Sequence, residues 1–196
     1  MTEAAVARAH DTMAVTSDAE ALLMRRVGAG DAAACRVLVE RHLGRIVGIA
    51  HRLLGDPSEA EDVAQDTFLR LWRYADRWQP RARLTTWLYR VAYNLCMDRL
   101  RARRERPFEW APDPGAIPAA PVQRNQVARI VAGALGALPE RQRSAIALVY
   151  HQGLSNIDAA EVLGISVDAL ESLLARGRRS LREQLGALRS DLMGEL

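Results

Sequence analysis

A proline-rich stretch near the middle of the chain limits the fold more than any other feature. Between Pro107 and Pro121 the sequence reads PFEWAPDPGAIPAAP, with five prolines and one glycine. Proline cannot continue a helix, because it lacks an amide hydrogen and its ring clashes with the preceding turn. The stretch therefore predicts a flexible, extended linker. The predicted parts are a disordered tail at 1–17, a first domain at 18–106, the linker at 107–124 and a second domain at 125–196.

Helix signals fill both predicted domains. Ser17 and Glu20 form a capping box that opens the first helix, and Asp56, Pro57 and Glu59 stand in order as N-cap, first helical residue and N3 carboxylate. No alternation of period two is long enough for a strand, so the chain is predicted to be all-α. The later helices are predicted near 31–54, 57–74, 84–104, 125–135, 139–152, 155–163 and 166–185.

The segment SNIDAAEVLGISVDALESLLARGRRSLREQL, from Ser155 to Leu185, predicts a helix-turn-helix. Ser155 caps a short helix, Gly164 supplies a left-handed turn, and Ser166 caps a longer helix. The predicted buried residues are Ile157, Ala160, Val162 and Leu163 in the first helix and Leu170, Leu173, Leu174 and Leu181 in the second, with Arg176, Arg178, Arg179 and Arg182 outside. The second helix of such a motif enters the major groove of DNA. A plain αα-hairpin with a solvated basic face has the same spacing.

Charge and cysteine content exclude several classes of protein. The net charge is only +3, so any nucleic-acid surface must be local, and all 27 basic residues are arginine. Cys35 and Cys96 fit neither a zinc site nor a disulfide framework. The sequence shows no span of about 18 apolar residues and no signal peptide. It therefore predicts a cytoplasmic protein, and no metal site, cofactor or catalytic residue is assigned to it.

Two helices of the first domain carry unusual surfaces. The third has five acids between Asp56 and Asp66 and no base. The fourth has a core stripe of Leu84, Leu88, Val91 and Leu95, and a second face with arginine, asparagine and aromatic residues. Such a face suits unpaired bases, which stack on aromatic rings, although helical aromatics also pack in cores.

Two segments of the first domain and one of the second resemble a known family. AEDVAQDTFLRLWRYADRW and LTTWLYRVAYNLCMDRLRAR resemble the core-binding and promoter-melting part of bacterial sigma factors. LPERQRSAIALVYHQGLSNIDAAEVLGISVDALESLLARGRRSL resembles their promoter-binding helix-turn-helix. With only these two domains, the chain resembles the extracytoplasmic-function (ECF) group, and the resemblance covers about 18–106 and 125–186.

The resemblance implies partners and site residues. It implies an alternative sigma factor that binds core RNA polymerase and promoter DNA, both duplex and single-stranded, and is held by an anti-sigma factor, often membrane-bound. The implied polymerase-binding residues are Asp62, Gln65, Asp66 and Leu69. The implied minus-ten residues are Arg81, Arg83, Thr86, Trp87, Arg90 and Asn94. The implied minus-thirty-five residues are Ser166, Asp168, Glu171, Arg176, Arg178 and Arg179.

The recognition helix departs from the family's usual pattern. Common members carry threonine, a basic residue and arginine where this chain has Ala169, Glu171 and Leu173. A glutamate repels phosphate but can accept a hydrogen bond from cytosine N4 in the major groove. The departure affects the promoter sequence that is read rather than the mode of docking.

Two other classes of protein remain as alternatives. One is a transcription regulator with a C-terminal helix-turn-helix, which leaves the acidic helix and the aromatic-arginine helix unexplained. The other is an all-α hydrolase that holds magnesium with Glu59, Asp62 and Asp66. It would need matching acids on a second helix, and Glu40 with Asp98 is a poor substitute.

Overall fold

The described part of the chain is helical and, over residues 18–79, 83–105 and 130–194 of this computed structural model, contains no strand. The first domain comprises α1 (18–28), α2 (Ala32–Leu54), α3 (Pro57–Tyr74) and α4 (Leu84–Glu105). The second comprises α5 (130–136), α6 (Glu140–Ile146), a π-helical turn (Ala147–His151), α7 (Asn156–Leu163) and α8 (Val167–Gly194). The predicted all-α class is confirmed. The predicted tail and linker lie outside the described residues.

Side-chain caps fix the ends of the helices in the first domain. Asp31 accepts hydrogen bonds from the amides of Ala33 and Ala34 at the start of α2, and Gly55 ends that helix with φ of 75°. Asp56 Oδ1 accepts from the Glu59 amide at 2.9 Å, with Pro57 as the first residue of α3. The predicted boundary between these two helices is therefore confirmed.

A buried contact ties the first helix to the second. Glu20 Oε1 lies 3.0 Å from His42 Nε2, and both side chains are buried. A buried carboxylate needs such a hydrogen-bonding partner. Ser17, the other residue of the predicted capping box, lies outside the described residues.

The helix-turn-helix forms as predicted, with one correction. Ser155 Oγ accepts from the Asp158 amide, Gly164 has φ of 65°, and Ser166 Oγ accepts from the Ala169 amide. Ile157, predicted in the buried face, is 72% exposed. It is the second residue after the cap, about 200° around the helix from buried Ala159.

The long helix α8 matches its predicted faces but exceeds its predicted length. Leu170 and Leu174 are buried, and Leu173 and Leu181 are half-buried, whereas the four predicted outer arginines are exposed. The helix continues to Gly194 instead of ending at Leu185. Within the described ranges, none of the helices is both long and apolar enough to cross a membrane.

The two domains pack against each other in this structure. Helix α4 lies against α7, and α2 contacts both α6 and the π-helical turn. Buried side chains of both domains belong to one continuous hydrophobic cluster, from Met24 in α1 to Leu174 in α8. The linker was predicted to let the domains reorient, and here they are closed on one another.

The π-helical turn lies at this contact between domains. The Gln152 amide donates to the carbonyl oxygen of Ala147, five residues earlier, at 3.1 Å. Such turns hold one extra residue compared with an α-helical turn. The side chain of Gln152 then lies beside Gly48 of α2, where an added Cβ would come 3.7 Å from Gln152 Nε2.

Candidate functional surfaces

An apolar groove runs between α2 and α3 on the outer side of the first domain. Its volume is about 550 Å³, and its walls are formed by Cys35, Val39, Leu43, Val47, Glu61, Gln65, Phe68, Leu69 and Trp72. Leu69 is 46% exposed, Leu43 42% and Trp72 40%. Large apolar side chains that cluster at the surface commonly mark a protein interaction site.

Acidic residues border this groove. Glu61 and Asp62 are exposed on α3, and Gln65 is exposed one turn further along. Asp62 forms no ion pair with any side chain in the described ranges. The groove and its acidic border together form a surface suited to a partner that is both apolar and basic.

Asp66 and Glu59 face the other way, toward α4. Asp66 Oδ2 accepts from Arg99 Nη2 at 3.1 Å, and Glu59 Oε1 lies 2.8 Å from Arg103 Nη2. These pairs tie α3 to α4. Asp66 thus differs from the other predicted polymerase-binding residues, since its carboxylate is half-buried and already has a cationic partner.

The predicted minus-ten residues differ in their exposure. Arg90 and Asn94 are exposed on α4, Arg83 is exposed just before this helix, and Arg81 lies outside the described residues. Trp87 is half-buried, and its ring stacks on that of Tyr74 with centroids 5.5 Å apart and an interplanar angle of 9°. The stacked rings extend the aromatic surface from α4 to the end of α3.

Thr86 is covered by the second domain. Its side chain is only 3% exposed, and its Oγ1 donates to Asp158 Oδ1 at 3.3 Å. One turn along, Tyr89 is also buried, and its hydroxyl donates to Gln152 Oε1 at 2.9 Å. Burial raises the pKa of the Tyr89 hydroxyl, which therefore stays protonated and remains a donor.

All six predicted minus-thirty-five residues are exposed on or just before α8. Glu171 Oε1 accepts from Asn156 Nδ2 at 3.3 Å, so α7 helps to place this carboxylate. Arg178 Nη1 donates to the Tyr150 hydroxyl at 3.1 Å, and Arg176 Nε to its own helix at Ser172 O. The surface is rich in arginine, with one acid held by a neighbouring helix.

Comparisons with known proteins match both domains to the same family. The family model for Sigma-70 region 2 matches residues 38–106, and that for Sigma-70, region 4 matches residues 128–181. The chain is 30% identical to the ECF RNA polymerase sigma factor SigW of Bacillus subtilis, over 83% of this chain and 94% of that protein. The chain belongs to the ECF family of RNA polymerase sigma factors. These are transcription initiation factors.

Further relatives and solved structures agree with this assignment. This sigma factor is 31% identical to the ECF sigma factor SigK of Mycobacterium sp. (strain KMS), over 88% of this chain and 93% of that protein. The structure of CnrH in complex with the cytosolic domain of CnrY matches with a TM-score of 0.69 and 31% identity, covering 86% of this chain and 98% of that one. The sigma factor RpoE of Bartonella quintana, in complex with the anti-sigma factor NepR, matches with a TM-score of 0.62 and 26% identity, covering 77% and 96%.

Gln65 and Leu69 of this groove were among the predicted polymerase-binding residues, whereas its α2 wall was missed at the sequence level, although a signal existed. Cys35, Val39, Leu43 and Val47 recur every four residues along α2, apart from the buried stripe of that helix. Cys35, Val39 and Val47 are half-buried against the core, and Leu43 is exposed. An apolar row beside the buried stripe of a helix indicates apolar surface that is left for a partner.

Proposed function

We propose that this chain is an alternative sigma factor that binds core RNA polymerase and directs it to specific promoters. The first domain supplies the polymerase contact and the single-strand contact at the minus-ten element. The second supplies the duplex contact at the minus-thirty-five element. The chain acts in the cytoplasm by binding polymerase and positioning it on promoter DNA rather than by catalysing a covalent reaction. The groove with its acidic border is the observation that carries this proposal.

The groove fits a helical partner with basic and apolar side chains. Exposed Leu69 and Trp72 give it an apolar floor and wall, while Asp62 and Gln65 stand at its edge. In an interface of this kind, apolar contacts at the centre supply affinity and charged residues at the rim fix the orientation. The coiled-coil clamp of the polymerase's largest subunit is the partner that the family resemblance implies. Asp66 contributes to this face by holding α3 against α4.

The exposed part of α4 has the chemistry for an unpaired strand. The Trp87 ring, already stacked on Tyr74, offers an ordered aromatic platform, and Asn94 can hydrogen-bond a base edge. Arg83 and Arg90 supply positive charge for phosphates. Arg81 and Thr86 complete the proposed set, and Thr86 becomes available only when the second domain moves away.

The exposed surface of α8 has the chemistry for a duplex. Ser166 and Asp168 begin the helix, and Arg176, Arg178 and Arg179 supply positive charge further along. Glu171 is the only acid of this set in the middle of the arginine-rich surface. Its carboxylate is therefore the proposed acceptor of a hydrogen bond from cytosine N4 in the major groove.

Arg176→Ala and Glu171→Lys are expected to affect DNA binding in different ways. Removing an arginine that contacts phosphate should weaken binding by a similar factor for all sequences. Changing a group at a base edge should instead change the difference in binding free energy between bases at one position, by about 1–3 kcal/mol. The measurement is a selection of binding sites from a random duplex library with each full-length variant. Asn156→Ala is an informative companion, because it removes the hydrogen bond to Glu171 and leaves the carboxylate in place. An unchanged preference in the Glu171 variant would exclude this residue from the reading surface.

Regulation by an anti-sigma factor is the third part of the proposal. The similar structures of CnrH and RpoE were determined with CnrY and with the anti-sigma factor NepR, respectively. The groove is a large exposed apolar surface on this sigma factor, so a partner that occupied it would exclude polymerase. A membrane-bound partner of this kind would also couple release of the sigma factor to a signal outside the cytoplasm.

Reconstitution with purified core RNA polymerase tests the proposed function. The chain should co-elute with the core enzyme and support transcription from a subset of fragments in a genomic DNA library. Core enzyme without the chain serves as the control. A chain that neither co-elutes nor stimulates transcription on any fragment would exclude the sigma function.

A further inference from the structure

Helix α3 carries a second surface on the side away from the groove. Trp72 lines the groove, and Tyr74 follows it by two residues, about 200° around the helix axis. Tyr74 is 42% exposed at the last position of α3. Exposed arginines stand around it in the sequence. The arginine–tyrosine face, as it is called below, consists of Arg70, Arg73, Tyr74 and Arg77.

The spacing of this face places positive charge on both sides of one ring. Arg70 precedes Tyr74 by four residues and Arg77 follows it by three, so both lie one turn away on the same side of the helix. Among the arginines of this face, and within the described ranges, only Arg77 has an acidic partner, Asp76 at 3.7 Å. Rings flanked by arginine suit unpaired nucleic acid, because the ring stacks on a base while the arginines attract phosphates.

The Tyr74 ring is the outer member of its stacked pair with Trp87. The planes of the two rings are 9° from parallel and their centroids are 5.5 Å apart. Atoms in contact lie about 3.5–4.0 Å apart, so this centroid distance means that the rings are offset. Trp87 is half-buried and packs against the core, whereas Tyr74 is more exposed. A base that continued the stack would therefore contact Tyr74.

Helix α1 fixes the backbone that follows Tyr74. An added Cβ at Gly28, the last residue of α1, would lie 3.0 Å from Ala75 O and 3.1 Å from Asp76 Cα. The ends of α1 and α3 are therefore in close backbone contact. Tyr74 is thus held between this contact and the ring of Trp87. A ring that is ordered before the strand arrives loses less conformational entropy when the strand binds.

We propose that Tyr74 is a further base-stacking residue of this sigma factor, and that the unpaired strand continues from α4 onto the arginine–tyrosine face of α3. This inference rests on the proposed function of α4 in binding that strand. One helix then contacts both partners, because its groove side docks on polymerase and its other side holds a base. The strand is thereby held at a fixed position relative to the polymerase.

The test compares holoenzymes that contain the full-length wild type, Tyr74→Leu or Tyr74→Phe. Leucine keeps an apolar contact with Trp87 but has no aromatic face, whereas phenylalanine is the matched control that keeps the ring and loses only the hydroxyl. The probe is a fluorescein-labelled promoter fork from a fragment that the reconstituted holoenzyme transcribes. Its upstream part is duplex, and its non-template strand is unpaired through the minus-ten element. Fluorescence anisotropy measures the affinity of each holoenzyme for the fork.

The leucine variant should bind the fork about tenfold more weakly than the wild type, because the stacking of one base on an aromatic ring contributes a factor of this size. The phenylalanine variant should bind like the wild type. Both variants should dissociate from core polymerase at the wild-type rate, since Tyr74 lies away from the groove. Equal fork affinities for the wild type and the leucine variant would overturn the proposal.

A scan with abasic sites shows whether Tyr74 acts through a base. Each fork of the scan lacks one base of the unpaired strand. At the position that Tyr74 contacts, the abasic site should weaken binding by the wild type and by the phenylalanine variant, but should not weaken binding by the leucine variant further, because both changes remove the same contact. At the other positions the wild type and the leucine variant should lose affinity by the same factor. Losses that add at every position would overturn the stacking role of Tyr74.

These outcomes separate the role of Tyr74 from the proposed function. A wild-type chain that supports no transcription would remove the sigma function and this inference with it. A wild-type chain that transcribes, together with a leucine variant that binds the fork equally well, would remove the role of Tyr74 alone. A leucine variant that lost its helical circular dichroism would be replaced by Tyr74→Met, which also lacks an aromatic face, under the same criteria.

Discussion

The Asp62→Ala/Gln65→Ala variant is expected to fold normally and to lose most of its affinity for core RNA polymerase. Both side chains are exposed beside the groove, and Asp62 forms no ion pair within the described ranges. In the proposed interface they become paired and lose water, so their removal should cost about 2–5 kcal/mol, mainly through faster dissociation. On a solvated face the same changes should alter the free energy of unfolding within about 0.5 kcal/mol.

The matched control for this prediction is Asp76→Ala/Gln79→Ala. These residues have the same types and the same spacing, and both are exposed after α3, away from the groove. Surface plasmon resonance with immobilised core enzyme measures the dissociation rate of each full-length variant. Equal dissociation rates for the Asp62/Gln65 variant and the wild type would remove this face from the polymerase interface.

Cys35 provides an independent readout of the same surface. It lines the groove and is half-buried, whereas Cys96 is buried in the core. Burial raises the pKa of both thiols, and that of Cys96 to about 12, which keeps it protonated. Alkylation of the native protein should therefore report on Cys35, and core polymerase should slow it. In the Asp62/Gln65 variant the protection should be lost at the same polymerase concentration.

Gly177→Leu is expected to destabilise the second domain, whereas Gly186→Leu should not. An added Cβ at Gly177 would lie 2.7 Å from Ile146 Cδ1 and 3.4 Å from Cγ1, where α8 crosses α6, and at Gly186 of the same helix it would meet open space. Forcing a larger side chain into a packed contact typically costs about 1–3 kcal/mol. The better helix propensity of leucine offsets less than about 1 kcal/mol of that.

The two variants form a matched pair because the substitution and the helix are the same. Thermal and urea unfolding measure the difference, and duplex binding by α8 should weaken only in the Gly177 variant, whose recognition helix is displaced from its support. Equal free energies of unfolding for the two variants would mean that the α6–α8 contact accommodates the leucine without loss of stability.

Local signals in the sequence predicted the helices well. Gly55, Asp56 and Pro57 mark a helix boundary by the conformation each residue permits, and the structure has that boundary at the same residues. The caps at Ser155 and Ser166 were predictable for the same reason. These are contacts between residues at most four positions apart, so the sequence alone determines them.

The remaining features depend on residues that are distant in sequence. Thr86 was placed on a nucleic-acid surface, because it lies outside the leucine stripe of α4. Only the position of α7 shows that this face is buried in the closed chain. Gly177 continues the stripe of Leu170 and Leu174, and its role depends on Ile146 of α6. The site residues on α3, α4 and α8 remain predictions, whereas the ECF family is shown.

The π-helical turn determines how the helix-turn-helix is rotated, about the helix axis, relative to the rest of the chain. One residue corresponds to about 100° of helix rotation. A chain shorter by one residue between Ala147 and His151 could keep both domains intact, yet Gln152 would point away from Tyr89. Insertions and deletions in this short stretch would therefore change the stability of the contact between the two domains without altering what either domain binds. Closure and recognition could then evolve separately.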